Sequence, residues 1–173
     1  DEAQTFYNDY LANTNIDFTG KTILDISGGN GYFVKWFQKQ FEARPSLTEY
    51  NKKTVAFAKE QHNYDVVCEY DMNNDNLYEK TQMKYDIVIA KACLMFCDDI
   101  DGLSKQIHET LKPGGILILA HNVEPTLGTM LRVQLDEYSY FALRQPQLVR
   151  ETFESNGFTT SHSIIETDNT LYI

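Results

Sequence analysis

The chain is poor in several things, and each shortage closes off a class of function. Its apolar runs never approach the roughly 20 residues that a membrane-spanning helix needs. The basic-then-apolar start of a secretory signal is missing, so the cytoplasm is the expected location. Cations are in deficit: 15 Lys and Arg stand against 25 Asp and Glu, a formal charge of −10. That balance argues against a nucleic-acid partner, because phosphate backbones are held by surplus Lys and Arg. The pair Lys52-Lys53 reads as a solvated helix start. Cysteine is scarce too. Cys68, Cys93 and Cys97 make no C-x-x-C pair, and no histidine is close enough in sequence to complete a metal site. Three reduced, mostly buried thiols and no metal are expected. With no internal repeat, low-complexity tract or linker, residues 1–173 read as one domain with room for a sizeable core.

Against those absences stands one dense signal. Thr22-Ile23-Leu24-Asp25-Ile26 is a short apolar strand, Ser27-Gly28-Gly29-Asn30-Gly31 a glycine-rich turn, and Phe33, Phe37 and Phe41 mark the helix over residues 31–42. Glycine lets backbone approach a ligand closely. The helix start is expected to aim free N–H groups at whatever polar group sits there.

The rest of the chain alternates strand-like and helix-like segments with short connections, the pattern of an α/β protein with a mostly parallel sheet. Pro45–Glu49 reads as strand two, and Asn51 caps a helix with Val55 and Ala58 on one face. Asp65–Tyr70 reads as strand three, followed by an Asp/Asn-rich turn over residues 71–76. Tyr85–Ala90 is a continuous apolar strand of the kind buried on both faces. Ile100, Leu103, Ile107 and Leu111 recur at helical spacing, and Lys112-Pro113-Gly114-Gly115 ends that helix before a fifth strand, Ile116–Leu119. Residues 124–142, with Pro125, Gly128, Tyr138, Tyr140 and Phe141, keep no clean period and are expected to form an irregular or helical insertion. A helix over residues 145–156 and two closing strands, Phe158–Ile165 and Thr170–Ile173, complete the reading. Residues 1–19 are expected to be an N-terminal cap of helix and loop over the sheet.

Three strand ends carry chemistry. After strand one comes the glycine loop. Glu49 ends strand two, where a carboxylate can accept hydrogen bonds from both hydroxyls of a ribose. Asp71-Met72 follows strand three, where a carboxylate, a backbone N–H and a thioether can hold and cover an adenine. Ligands in such sheets bind outside the carboxyl ends of the strands. A dinucleotide-binding loop, G-x-G-x-x-G, fits poorly: counted from Gly29 and Gly31, its third position is Val34.

Leu24-Asp25-Ile26-Ser27-Gly28-Gly29-Asn30-Gly31 resembles the first motif of the class I S-adenosylmethionine-dependent methyltransferases. Glu49, Asp71-Met72, Tyr85–Ala90 with Leu94 and Asp98-Asp99, Leu111–Leu117 and Phe153–Phe158 resemble that family's later motifs in order, so the likeness covers residues 20–173. It implies a Rossmann-like, doubly wound, seven-stranded sheet ordered 3-2-1-4-5-7-6, mostly parallel with the last strand antiparallel. It also implies S-adenosyl-L-methionine as cofactor, S-adenosyl-L-homocysteine as product, and Asp25, Ser27, Gly28, Gly29, Gly31, Glu49, Tyr50, Asp71, Met72 and Lys91 as the residues around them. Ser27 stands where the family usually has glycine.

Methyl transfer needs alignment and exclusion of water more than it needs proton chemistry. Where the acceptor must lose a proton, His121, read as lying just past strand five at the crevice mouth, is the candidate base; the alternative is a structural or exposed histidine. His108 suits a helix C-terminus, and His62 and His162 read as surface residues. The segment Lys91–Phe96 lacks the Asn/Asp-Pro-Pro-aromatic sequence of amino-group methyltransferases of nucleobases and some proteins. Lys91 either meets an acidic substrate or faces solvent. Tyr7, Tyr10, Tyr138, Tyr140 and Phe141 form either a lid over an apolar acceptor pocket or ordinary packing. A small-molecule acceptor is the first expectation. A protein methyltransferase and a non-catalytic binding or assembly module of the same fold are the alternatives.

Overall fold

The computed structural model describes residues 1–122, 130–134, 140–165 and 169–172, with side chains over residues 1–121 and 144–163. A sheet of parallel strands β1 (Thr22–Ile26), β2 (Arg44–Glu49), β3 (Val67–Glu69), β4 (Tyr85–Lys91) and β5 (Leu111–Asn122) runs in the order β3-β2-β1-β4-β5. This is an α/β, Rossmann-like arrangement. Beyond β5, β9 (Asn169–Tyr172) pairs antiparallel with Leu119–Asn122, and β8 (Ser163–Ile165) pairs antiparallel with β9.

The parallel strands can sit in the middle because both of their faces are apolar. All five residues of β1 are buried. Successive side chains of a strand point to opposite faces, so Leu24, Ile26, Val88 and Ala90 join one core with Leu103, Ile107 and Phe153. Ile23, Ile87 and Ile89 join the other with Val34, Phe37 and Phe18. Helices α2 (Tyr32–Phe41), α3 (Lys52–Gln61), α5 (Ile100–Thr110) and α6 (Pro146–Ser155) cover these faces. Asn51 caps α3 by accepting the N–H groups of Lys53 and Thr54, and Val55 and Ala58 are its buried residues. Register levels the strand tips: Ile26 lies beside Thr48 and Ala90, and Ala90 beside Leu119. The residues following these positions therefore share one edge.

Several expectations are corrected. A further helix, α4 (Leu77–Thr81), follows the Asp/Asn-rich turn, capped by Asn76. Strand three is shorter than Asp65–Tyr70. Helix α5 ends at Thr110, and Lys112–Gly115 are drawn into β5 as an irregularity: Tyr85 pairs with Leu111 but Ile87 with Ile116. The Lys112 ammonium lies 2.9 Å from Asp86 and 3.2 Å from the Thr22 hydroxyl, which holds that excursion against the sheet. The region read as irregular or helical carries a hairpin, β6 (Met130–Gln134) with β7 (Tyr140–Arg144). Its β-branched and aromatic content favours strands even without clean alternation. Tyr138 lies outside the described residues, and of Tyr140 and Phe141 only the backbone in β7 is described.

At the N-terminus, α1 (Glu2–Phe6) continues into one wider turn, Tyr7–Leu11, and packs against α2. Tyr7 packs against Phe18, Trp36, Phe37 and Phe41 at ring distances of 6.1, 5.2, 6.4 and 5.3 Å. Tyr10 packs on Phe6 at 5.3 Å. Tyr7 and Tyr10 are thus packed among other aromatic rings.

Candidate active site

The site is built at the carboxyl edge of the sheet. Asp25, on β1, is 3% exposed, and its Oδ2 has no hydrogen-bond partner. Burial pushes its carboxyl up to about 7, against the pull of Lys91 and with a further push from Glu49 and Glu2. A buried polar oxygen without a partner is costly, so Oδ2 is an unmet hydrogen-bonding group in the end of the strand beneath the loop.

Next comes the loop. Ser27 adopts φ 57°, a left-handed conformation that strains any residue with a Cβ. A Cβ on Gly28 would lie 2.0 Å from Leu47 Cδ1 and 2.6 Å from Asp25 Oδ2, so any side chain here must displace buried neighbours. At Gly29 φ is +58° and a Cβ would meet nothing within 4 Å, which leaves open space above the loop. A Cβ on Gly31 would lie 2.8 Å from His62, behind the loop.

Glu49 closes on this loop from β2. Its Oε2 accepts the Gly29 N–H at 3.1 Å and its Oε1 accepts the Asn51 N–H at 2.9 Å. Four amides around the loop are therefore occupied. Gly28 donates to Thr48 O, Gly29 to Glu49, Gly31 to Gly28 O and Tyr32 to the Asn30 side chain. These four amides serve the loop's own shape, whereas α2 receives no side-chain cap bond at Gly31, and the loop also offers outward glycine backbone without side chains.

Lys91 ends β4. Rather than facing free solvent, its ammonium is paired with Glu2 of α1 and lies 5.3 Å from the Phe33 ring centre. Tyr50 stands just past β2, 66% exposed. The Asp71 carboxylate accepts the Asn73 N–H at 2.9 Å and the Asn74 side-chain N–H at 2.8 Å. Met72 packs on the core. Asn73 then bridges to the segment after β4, donating to Phe96 O and accepting from the Asp98 N–H. Asp25, Ser27, Gly28, Gly29, Glu49 and Lys91 thus gather at the tips of β1, β2 and β4. Tyr50, Asp71 and Met72 stand at the neighbouring tips.

His121, expected just past strand five, lies within it. Strand β5 runs on to Asn122, and the His121 side chain, inside the strand opposite Thr170, is 3% exposed. His62 was read as a surface residue and is buried. His108 is exposed in the last turn of α5, its ring 5.4 Å from that of Phe158. All three cysteines are free, with Cys93 and Cys97 buried, and no metal-binding cluster occurs among the described residues.

Sequence reading missed two further anchors. Arg144, buried, donates to the carbonyls of Leu94, Cys97 and Asp98, tying β7 to the turn after β4. No local pattern signals such a long-range contact. His62 and Tyr64 hold the back of the glycine loop, and their two-residue spacing, one face of an extended segment, was the available clue. A cavity of about 820 Å³ lies elsewhere, between the amino-terminal half of β5 and the α6–β8 connection. Its lining includes Leu111, Ile116, Leu117, Val149, Phe153 and Phe158, and none of the expected site residues.

An open α/β sheet with glycine, carboxylate and amine at successive strand tips is a nucleoside-cofactor scaffold. Residues 24–119 match the family described as a methyltransferase domain, and the chain belongs to that family, the class I S-adenosylmethionine-dependent methyltransferases. It is 23% identical over 95 residues to the mitochondrial arginine-hydroxylase NDUFAF5 of Danio rerio, covering 55% of this chain and 29% of that protein. It is 26% identical over 135 residues to a malonyl-[acyl-carrier protein] O-methyltransferase of Acetivibrio thermocellus, covering 76% and 44%. The chain thus spans less than half the length of either relative. An S-adenosylmethionine-dependent methyltransferase structure from Mesorhizobium loti superposes with a TM-score of 0.77 at 14% identity, covering 96% of this chain and 95% of that one. At that identity the likeness speaks for the fold alone. No helix among the described residues is long and apolar enough to cross a membrane.

Proposed function

We propose that this chain binds S-adenosyl-L-methionine across the tips of β1, β2, β3 and β4 and transfers its methyl group to a small-molecule acceptor. The observation that carries the reading is the buried Asp25 carboxyl, its Oδ2 unpartnered, beneath a loop whose Gly28 position is crowded by Leu47 and Asp25 itself. An acid left without donors there suits a ligand bearing positive charge, and open space over Gly29 suits its close approach. When bound, the cofactor supplies a methyl carbon already activated by a sulfonium.

The chain's own residues then have three tasks. Asp25 balances the ligand's positive charge. Glu49, anchored by two backbone N–H groups, keeps unused lone pairs on both oxygens for ribose hydroxyls. Tyr50, Asp71 and Met72 are candidates to border the base. Water exclusion falls to two coverings. Helix α1 reaches the edge through Glu2 and Lys91. The β6–β7 hairpin is pinned to the turn after β4 through Arg144. Coverings on two sides favour a compact acceptor over an extended macromolecular one.

Titration calorimetry with S-adenosyl-L-methionine is the direct test, and absence of heat together with absence of thermal stabilisation refutes the reading. A screen of candidate acceptors with isotope-labelled cofactor, read by mass spectrometry, then separates labelled small compounds from labelled polypeptide. Label on polypeptide alone overturns the small-molecule assignment.

A further inference from the structure

We propose that His62 and Tyr64 are positioning residues that lock the glycine loop into its cofactor-receiving shape by holding two of its carbonyls from behind; this rests on the cofactor reading above. His62 Nε2 lies 2.8 Å from Asn30 O, and the Tyr64 hydroxyl donates to Gly31 O at 2.7 Å. A carbonyl oxygen only accepts, so Nε2 carries the proton. His62 Nδ1 is left as a buried acceptor without a partner. The two rings stack at 4.8 Å and 13°, and Tyr32 meets His62 edge-on at 5.1 Å.

The loop needs such support. Gly29 and Gly31 hold φ of +58° and +84°, and glycine restrains neither angle by itself. A shape made of soft residues persists only where its surroundings over-determine it. Thr48 and Glu49 fix the front of the loop through Gly28 and Gly29. Behind it, His62 and Tyr64 fix the two consecutive peptide planes that carry Asn30 O and Gly31 O, where α2 begins. Gly31 O also accepts the Lys35 N–H at 3.1 Å, so the Tyr64 hydroxyl bonds the first turn of the helix as well as the loop.

This assigns Gly31 a different reason for being glycine. Its missing Cβ makes room for the two rings, with His62 Cδ2 at 2.8 Å and Tyr64 Cε2 at 3.1 Å from the position it would take. The residue serves the clamp, and the clamp serves the site.

The test compares His62→Leu, His62→Asn, His62→Gln and Tyr64→Phe in two measurements. One is amide hydrogen exchange of residues 29–32 without ligand; the other is the Kd for S-adenosyl-L-methionine. Loss of the His62 bond speeds loop exchange and raises Kd by about tenfold each, the effect of one net hydrogen bond with an orphaned acceptor. His62→Gln restores most of both, because its amide nitrogen falls where Nε2 lies. His62→Asn does not, because its nitrogen falls where Nδ1 lies. Tyr64→Phe, which removes one hydroxyl and little packing, speeds loop exchange severalfold and carries the test should His62→Leu fail to fold. Unchanged loop exchange in Tyr64→Phe and His62→Leu overturns the proposal, as does rescue by Asn equal to that by Gln. A wild-type chain that binds no S-adenosyl-L-methionine, while its loop exchange still answers to His62, refutes the cofactor reading and leaves the clamp standing.

Discussion

Replacing Asp25 with asparagine should improve the empty protein and damage the loaded one. The carboxyl is buried and its Oδ2 unpartnered. Burial raises it from 3.8 to about 7 despite Lys91. The sign follows from proton counting: between about pH 4 and pH 7 the unfolded chain has released this proton while the folded chain still holds it. Stability is therefore greatest below the unfolded value and falls as pH rises towards 7. At 1.36 kcal/mol per pH unit the full loss is about 4 kcal/mol, an upper bound that water penetration reduces. Asp25→Asn removes the ionisation, so it should match the wild type near pH 4 and exceed it by on the order of 2–4 kcal/mol at pH 8. Cofactor affinity should move the other way, because a neutral amide gives a cationic ligand no counter-charge; wild-type binding should release protons at pH 6 to 7. Urea unfolding at pH 5 and pH 8, with and without S-adenosyl-L-methionine, reads both effects. A variant that is less stable at pH 8, or that binds the cofactor as tightly as the wild type, refutes the reasoning.

Glu49→Ala should weaken S-adenosyl-L-methionine binding at least tenfold by calorimetry and cost about 1 kcal/mol of stability, since Gly29 and Asn51 lose an acceptor. Gly28→Ala should lower the urea midpoint by the equivalent of about 1–3 kcal/mol, because Leu47 and Asp25, both buried, stand where the methyl would go. Ser27→Gly should raise stability by about 0.5 kcal/mol in the same assay: relief of the left-handed strain at φ 57° outweighs the added chain entropy. A loss there would mean that the serine hydroxyl holds something. Asp86→Asn should cost about 1 kcal/mol at neutral pH. Burial raises the Asp86 carboxyl, yet hydrogen bonds from Lys112 and Thr22 hold it at about 2. The wild-type advantage is accordingly present above pH 4 and fades as pH falls towards 2.

Much of this was readable from local pattern. Ile87–Ala90 had to lie in a central strand because an uninterrupted apolar run has no face to show water. Asn51 announced α3 because its side chain can take the first N–H groups of a helix. The glycine loop and Glu49 were legible for the same reason, since their chemistry lies within a few residues of a strand end. Failures came where distance in sequence hides contact in space. Nothing near His121 reveals that β5 runs three residues past Leu119, to Asn122, with His121 buried inside it. Nothing near Lys112 names Asp86 and Thr22 as its partners, and nothing near Arg144 names the carbonyls of the turn after β4.

The boundary between the two kinds of knowledge is physical. Periodicity, capping and turn chemistry act over a turn or a pleat, so the alternation of elements and the carboxyl-edge location of the candidate site are written along the chain. Which side chain ends up under Gly28, which ring stands behind Gly31 and which charge Asp25 feels depend on strand register and on helices crossing the sheet. Those are settled only when segments far apart in the chain pack together, because steric exclusion and charge burial arise from the assembled neighbours and not from the residue alone.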